Sequence, residues 1–177
     1  MNTALWKYKF FGLLAVGLIA GGCSGIPIPR SRSIIITATE DICKKSVEVH
    51  LVGVNRSEKE QWEQVSMTEY WQPKNQLRDS AKEYTHVFHF GQEPCEKTLG
   101  KKDPIQNVWK KKRKAEYLFI LADLPGVFPD MVGNADARRL QLPAPSSKCW
   151  DILQTEIRLE IDSSKIVSLT VPKPECE

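Results

Sequence analysis

Five cysteines are the residues of this 177-residue sequence with the most definite chemistry. Four of them are widely separated: Cys43, Cys95, Cys149 and Cys176. No Cys-x-x-Cys pair and no histidine cluster accompanies them, whereas structural zinc sites normally have such local pairs. An even number of separated cysteines in an exported chain is typical of a disulfide framework. We therefore predict two disulfide bonds and no metal site.

The histidines and acids form no recognisable catalytic arrangement. Of His50, His86 and His89, the last two lie three apart on a predicted strand, which sends their side chains to opposite faces. The sequence has no nucleophile-elbow, zinc-protease, Walker or dinucleotide-binding motif. We therefore predict a protein that is not an enzyme and needs no cofactor. A hydrolase using His50 or His86 is an alternative that requires either residue to lie in a cleft beside a serine or an acid.

The fifth cysteine, Cys23, follows an export signal. Lys7 and Lys9 precede the apolar run Phe10 to Ile19, and Ala20-Gly21-Gly22 leads directly to the cysteine. A basic start, a short apolar run and small residues are the pattern of a secretory signal. The run has about half of the roughly 20 residues that a membrane-spanning helix needs. Residues 1–22 are therefore predicted to be removed.

Cys23 resembles the modified cysteine of bacterial lipoproteins, whose lipobox is an apolar residue, two small residues and cysteine. The resemblance implies a diacylglyceryl group and an N-acyl chain on Cys23, and several acyl chains together hold a protein firmly on a membrane. Ser24, in place of the aspartate that causes inner-membrane retention, implies the periplasmic face of the outer membrane, given a diderm host. Pro27 and Pro29 favour an extended spacer, so residues 23–32 are predicted to be a lipidated tether.

The charge balance argues against nucleic acid as a partner. The chain has 25 Lys plus Arg against 22 Asp plus Glu, and removing Lys7 and Lys9 leaves 23 against 22. One basic run remains, Lys110 to Lys114. It could contact anionic headgroups or an acidic partner, or it could simply complement the negative end of a helix dipole.

Alternating and β-branched segments predict at least six strands. They are 33–39, 47–54, 84–90, 117–122, the end of 150–161, and 166–171. In the second strand, Glu48 and His50 alternate with apolar residues, so we predict that it is half-buried. Polar and turn-forming residues predict a long loop over 123–145.

Helix-start patterns predict two short helical insertions. Capping boxes at Ser57 and Ser66 indicate helical turns that end before Pro73. Asp103 followed by Pro104 indicates a second helix, whose last turn is the basic run.

The last two predicted strands form a hairpin that bears on the disulfides. If Ile161 faces Ile166 across the turn, Cys149 and Cys176 lie one step from opposite each other near the open end. Of the three possible pairings, this favours Cys149 with Cys176 and Cys43 with Cys95.

The predicted fold class is mainly β: a single antiparallel β-sandwich domain over 33–177, transthyretin-like or immunoglobulin-like, with one or two short helical insertions.

The order of these features is similar to that of the outer-membrane lipoprotein of type VI secretion systems, the TssJ or SciN family. A lipobox, a β-branched strand, a cysteine-containing connector, the 47–54 strand, a helical insertion bearing Trp and Tyr, the 117–122 strand and a final hairpin follow one another. The resemblance implies a transthyretin-like sandwich that captures the periplasmic domain of an inner-membrane partner through loops between strands. By position, the first such loop here holds the candidate partner-binding residues Glu40, Asp41, Lys44 and Lys45.

The predicted function is therefore a non-enzymatic, lipid-anchored tether or assembly module that binds a partner protein in an envelope complex, such as a type VI secretion membrane complex. The alternative is a periplasmic carrier or chaperone for lipid or a small apolar ligand. That alternative requires a sizeable apolar pocket between the two sheets.

Overall fold

The computed structural model describes residues 31–176, and in them eight strands form two four-stranded sheets. The strands are β1 (Ser33–Ala38), β2 (Val47–Val54), β3 (Thr85–Phe90), β4 (Glu96–Leu99), β5 (Tyr117–Ala122), β6 (Arg139–Pro143), β7 (Glu156–Ile161) and β8 (Ile166–Ser168). The sheet orders are β4-β1-β7-β8 and β3-β2-β5-β6. The predicted mainly β sandwich is confirmed. The predicted signal peptide and Cys23 lie outside the described residues.

Short helical segments connect the strands. They are α1 (Glu40–Cys43), α2 (Lys59–Gln64), α3 (Met67–Tyr70), α4 (Gln76–Ala81) and α5 (Pro104–Asn107). A π-helical turn, Val108–Arg113, extends α5, and 3-10 turns occur at Arg56–Glu58, Lys82–Tyr84, Gly133–Ala135 and Pro174–Cys176. Within residues 31–176, every helix is too short or too polar to cross a membrane.

The core between the sheets is built from the alternating apolar residues that the strand pattern predicts. Ile34 and Ile36 of β1 meet Val49 and Leu51 of β2 in one buried cluster, and each side chain is fully buried. Burying a side chain of this size contributes about 1.5–3 kcal/mol relative to its exposure to water.

A second apolar cluster covers the outer face of the β3-β2-β5-β6 sheet. Trp62 of α2 and Met67 and Tyr70 of α3 pack over Val52 and Phe119. The prediction of a half-buried β2 was therefore wrong, because the chain between β2 and β3 folds back over the strand. His50 is 4% exposed as a result.

Polar side chains begin the helical segments. Ser66 accepts a hydrogen bond from the Glu69 backbone N–H at 3.0 Å, as its capping box predicts. The first turn is capped by Asn55 rather than by the predicted Ser57, whose hydroxyl instead donates to the Asn55 side chain. The helical insertion also continues beyond Pro73 into α4, contrary to the predicted end.

The hairpin of β7 and β8 has the predicted register, with Ile161 opposite Ile166. β8 ends earlier than predicted, at Ser168, because the Thr170 hydroxyl accepts the Arg158 N–H in place of a backbone carbonyl. Five of the six strand pairings among residues 31–176 are antiparallel, and β1 with β7 is parallel. The sandwich is therefore not purely antiparallel.

Two strands were not predicted. β4 is a short edge strand beside β1, and its polar residues give only a weak alternation. β6 lies inside the segment 123–145 that was predicted to be a loop, so that prediction was wrong over Arg139–Pro143. Both strands are specified by pairing with a buried neighbour rather than by their own sequence.

Candidate functional site

Four connections meet at one end of the sandwich, which we call the loop end. They are residues 39–46, 91–95, 123–138 and 162–165. The register places them together, because Val47 lies opposite Phe90 and Thr37 lies opposite Glu96. β1 begins with Ser33 at the opposite end, which we call the entry end. The first strand therefore runs from the entry end to the loop end.

The four candidate partner-binding residues lie on α1 and the turn after it, at the loop end. Glu40, Asp41, Lys44 and Lys45 are all exposed. Lys44 pairs with Glu40 one helical turn away, and the Thr39 hydroxyl donates to Asp41 at 2.5 Å. The hydrogen bond from Thr39 lowers the pKa of Asp41, so this carboxylate is fully ionised at neutral pH. The loop thus presents two negative and two positive side chains to solvent.

The side of α1 that faces the core fixes its position. Ile42 is fully buried in the core, and Cys43 forms a disulfide with Cys95 across a Cα–Cα distance of 5.1 Å. The backbone N–H of Thr39 donates to the Ile161 carbonyl oxygen at 2.9 Å. A second disulfide joins Cys149 to Cys176. These are the two pairs that the hairpin argument favours.

The connection 123–138, also at the loop end, is held by an ion-pair network in which Arg138 and Asp136 are buried and Asp130 is exposed. Arg138 donates to the carboxylates of Asp136 at 2.9 Å and Asp130 at 2.7 Å. Asp130 also accepts from the Ser66 hydroxyl and from the Thr68 N–H, which ties this connection to α3. Burial alone raises the pKa of both carboxyl groups, but these hydrogen bonds outweigh it and hold each pKa below its usual range.

Arg139 provides a second set of hydrogen bonds to the connection 123–138. Its side chain is buried and donates to the backbone carbonyls of Trp62, Val65, Gly133 and Met131. A guanidinium group has enough donors in one plane to satisfy several carbonyls at once. The connection is therefore a fixed part of the loop end.

Three apolar side chains are exposed on this connection and were not predicted as functional. Val127, Met131 and Val132 are 102%, 48% and 65% exposed. Large apolar residues in a polar, turn-rich segment are the sequence signal that could have identified them. The loop end therefore combines exposed apolar side chains with the charged residues of α1.

The histidines lie elsewhere. His50 is enclosed between Glu48 and Tyr70, with Nδ1 2.7 Å from the Tyr70 hydroxyl oxygen and Nε2 2.5 Å from a Glu48 carboxylate oxygen. Burial lowers the pKa of His50, although Glu48 opposes the shift. His50 thus lies beside an acid but in the interior rather than in a cleft. His86 packs edge-on against Phe88, and across residues 31–176 no three His, Cys, Asp or Glu side chains are placed to hold a metal ion.

Two surface grooves, of about 320 and 690 Å³, share Tyr117 and Pro143 in their lining. Both lie along β5 and β6 and not between the sheets. Large side chains such as Trp109, Trp150 and Phe90 occupy the core between the sheets. The carrier alternative needs an apolar pocket in that core, and no observation on the described residues favours it.

The β-sandwich formed by these strands and loops is similar to two solved structures whose descriptions name type VI secretion. A structure described as "Type VI membrane complex" matches 79% of this chain and 98% of its own, with a TM-score of 0.51 and 15% identity. Lip of Serratia marcescens, described as a membrane bound component of the type VI secretion system, matches 81% of this chain and 99% of its own, with a TM-score of 0.51 and 14% identity.

Both similar structures agree with the resemblance that the order of sequence features carries. At 14–15% identity the likeness shows the fold. No protein-family model and no curated protein matches the sequence.

Proposed function

We propose that the protein is a non-enzymatic, lipid-anchored assembly module that binds a partner protein of an envelope complex through its loop end. The observation that carries the proposal is the placement of the candidate residues relative to the tether. The chain enters the sandwich at Ser33, and α1 begins at the far end of the same strand. Six residues of strand extend about 20 Å, so a lipid on Cys23 leaves the loop end facing away from the membrane.

The chemistry of the loop end fits a protein partner. Val127, Met131 and Val132 expose apolar side chains at the end of the sandwich that also carries the charged residues of α1. Protein interfaces commonly combine an apolar centre with a polar rim. The loops are fixed by the Cys43–Cys95 disulfide and by Arg138, so binding does not have to order them. The two similar structures are both type VI secretion components, which favours an envelope assembly of that kind.

The proposed location is the periplasmic face of the outer membrane. The proposed membrane attachment is the lipid on Cys23, and the proposed protein contacts include Glu40, Asp41, Lys44 and Lys45. Metabolic labelling with an alkyne-bearing palmitate analogue tests the attachment. We expect the full chain to be labelled and the Cys23→Ser variant to remain unlabelled.

Site-specific photocrosslinking in living cells tests the partner. The photoreactive residue replaces Lys44 or Val132 at the loop end, and Lys82, in the 3-10 turn after α4, serves as a similarly exposed control position. We expect the loop-end positions to crosslink to the periplasmic part of an inner-membrane protein, and the control position to give no such product. A labelled, disulfide-intact protein that crosslinks to no envelope protein from either loop-end position would overturn the proposal.

A further inference from the structure

We propose that the entry end of the sandwich is a membrane-contacting surface, in which lysines of residues 100–116 contact anionic phospholipid headgroups and Ile152 and Leu153 enter the interfacial layer. This inference rests on the lipid anchor of the proposed function. It gives the entry end, where the tether joins the domain, a second role, which is to orient the domain on the bilayer.

The point where the chain enters the fold lies between these two segments. The Arg32 guanidinium donates to the carbonyl oxygens of Pro145 and Asp151, each at 2.9 Å. On the other side, the Gln106 amide donates to the Arg32 carbonyl oxygen at 2.7 Å. Arg32 therefore joins the loop 144–155 to α5.

The tether is short enough to keep this end near the bilayer. Eight chain steps separate Cys23 from Ser31, and a fully extended chain covers at most about 3.5 Å per residue, or about 28 Å in all. Because hydrogen bonds hold Arg32 on both sides, the tether joins the domain at a defined point. The segments that flank Arg32 therefore lie at the end of the fold that is nearest to a membrane to which Cys23 is attached.

The charge of the flanking connection complements an anionic surface. Residues 100–116 contain seven bases and two acids, whereas residues 123–138 at the loop end contain three acids and one base. Arg113 pairs with Glu58, but Lys111, Lys112 and Lys114 are exposed. These two connections therefore place positive charge toward the tether and negative charge away from it, which is the orientation that anionic lipid favours.

The helix dipole does not account for all of this charge. Lysines in the last turn of the helical segment do complement the negative end of its dipole. Lys101 and Lys102, however, are exposed immediately before the helix cap Asp103, where positive charge is unfavourable to the dipole. Basic residues therefore lie at both ends of one helical segment, and the dipole accounts only for those at its C-terminal end.

The loop 144–155 supplies the apolar part of the surface. Ile152 and Leu153 are adjacent and are 70% and 86% exposed. The turn that presents them is held by the Asp151 carboxylate, which accepts the Leu153 N–H at 2.8 Å. Adjacent aliphatic side chains beside lysines are the composition of a segment that lies in the membrane interface.

Lysine acetylation footprinting of the lipidated full chain tests the inference. The protein is reconstituted in vesicles of phosphatidylethanolamine with phosphatidylglycerol, or of phosphatidylcholine alone. We expect Lys111, Lys112 and Lys114 to be acetylated several-fold more slowly in the anionic vesicles. Lys44 and Lys45, at the loop end, provide the internal control and should react at the same rate in both.

Hydrogen exchange of residues 151–155 measures the apolar contact. We expect slower exchange in anionic vesicles, and we expect the variant K111Q/K112Q/K114Q to lose this protection while K44Q/K45Q keeps it. Each lysine near an anionic surface changes the equilibrium constant for contact with that surface by about fivefold. The triple variant should therefore show clearly faster exchange than the wild type in anionic vesicles.

The outcomes separate this inference from the proposed function. A chain that does not float with vesicles overturns both, because the anchor is then absent. Flotation with equal acetylation rates in the two kinds of vesicle overturns this inference alone. Slow acetylation that appears in native envelopes but not in anionic vesicles also overturns it, and indicates an acidic protein partner at the entry end.

Discussion

Trp109 lies against Gly53 so closely that a Cβ atom on Gly53 would come within 2.3 Å of the Trp109 Cδ1 atom. Gly53 is near the end of β2, and Trp109 belongs to the π-helical turn that follows α5. The Trp109 indole N–H also donates to the Tyr84 carbonyl oxygen at 2.7 Å. The absence of a side chain at position 53 therefore allows the basic helical segment to dock on the sheet.

We expect Gly53→Ala to destabilise the protein by about 1–3 kcal/mol, because the new methyl group must displace a buried indole ring. Urea unfolding of the disulfide-intact protein measures the change. Gly100→Ala is the matched control, since nothing lies within 4 Å of a Cβ atom at that position. An equal loss of stability in both variants would contradict the packing argument.

The Arg138 network makes a second prediction. In Arg138→Leu, the Asp136 carboxylate loses its charged partner while its side chain remains fully buried, and only the backbone N–H groups of Met131 and residue 138 still donate to it. Removing one member of a buried ion pair costs about 3–5 kcal/mol. Arg158→Leu is the control, because Arg158 pairs with Glu156 at the surface, where such pairs contribute about 0–1 kcal/mol. Matching urea midpoints for the two variants would show that the buried pair is not a stability determinant.

The two disulfides are expected to stabilise the folded protein by similar amounts but to fix different segments of the chain. The loop-entropy relation gives about 4 kcal/mol for the 52-residue separation of Cys43 and Cys95 and about 3.5 kcal/mol for the 27-residue separation of Cys149 and Cys176. Hydrogen exchange distinguishes them. We expect C43A/C95A to accelerate exchange in residues 39–46 and C149A/C176A to leave those residues protected. Equal protection in both would mean that the disulfide does not fix α1.

His50 predicts a pH dependence of stability. Burial lowers its pKa below the ordinary value of 6.5, so the unfolded chain binds a proton at a pH where the folded protein does not. The stabilisation is therefore complete above the ordinary pKa and declines as the pH falls below it. We expect the wild-type protein to lose stability from about pH 7 to about pH 5 and His50→Gln to lose less.

Urea unfolding at a series of pH values measures this slope. His86→Gln is the control, because burial also lowers the pKa of His86, but its side chain is only half-buried. We expect a smaller change in slope for His86→Gln than for His50→Gln. A His50→Gln slope identical to that of the wild type would contradict the assignment.

The strands that alternate strongly were predictable from the sequence, and those that depend on their neighbours were not. Ile157, Leu159 and Ile161 specify β7 and its hairpin register by themselves. β6 begins with Arg139, whose burial becomes favourable only when carbonyls such as that of Trp62 surround it. A single-sequence pattern does not contain that information.

The candidate site shows the same division. The position of α1 between two strong strand patterns could be read from the sequence, and so could its charged residues. The exposed side chains of Val127 and Met131 could not be placed at the same end of the sandwich as α1, because only the antiparallel pairing of β2 and β5 brings their connection there. The burial of His50 depends likewise on Tyr70, twenty residues away.

The position of β1 has a mechanical consequence. β1 is an inner strand, paired with β4 on one side and with β7 on the other. In the proposed function, a pull between the tether that enters at Ser33 and a partner bound at α1 acts along the axis of this strand. The hydrogen bonds on both sides are then loaded together in shear, rather than broken one after another. A sheet arranged in this way therefore resists extension along the line that joins the entry end to the loop end.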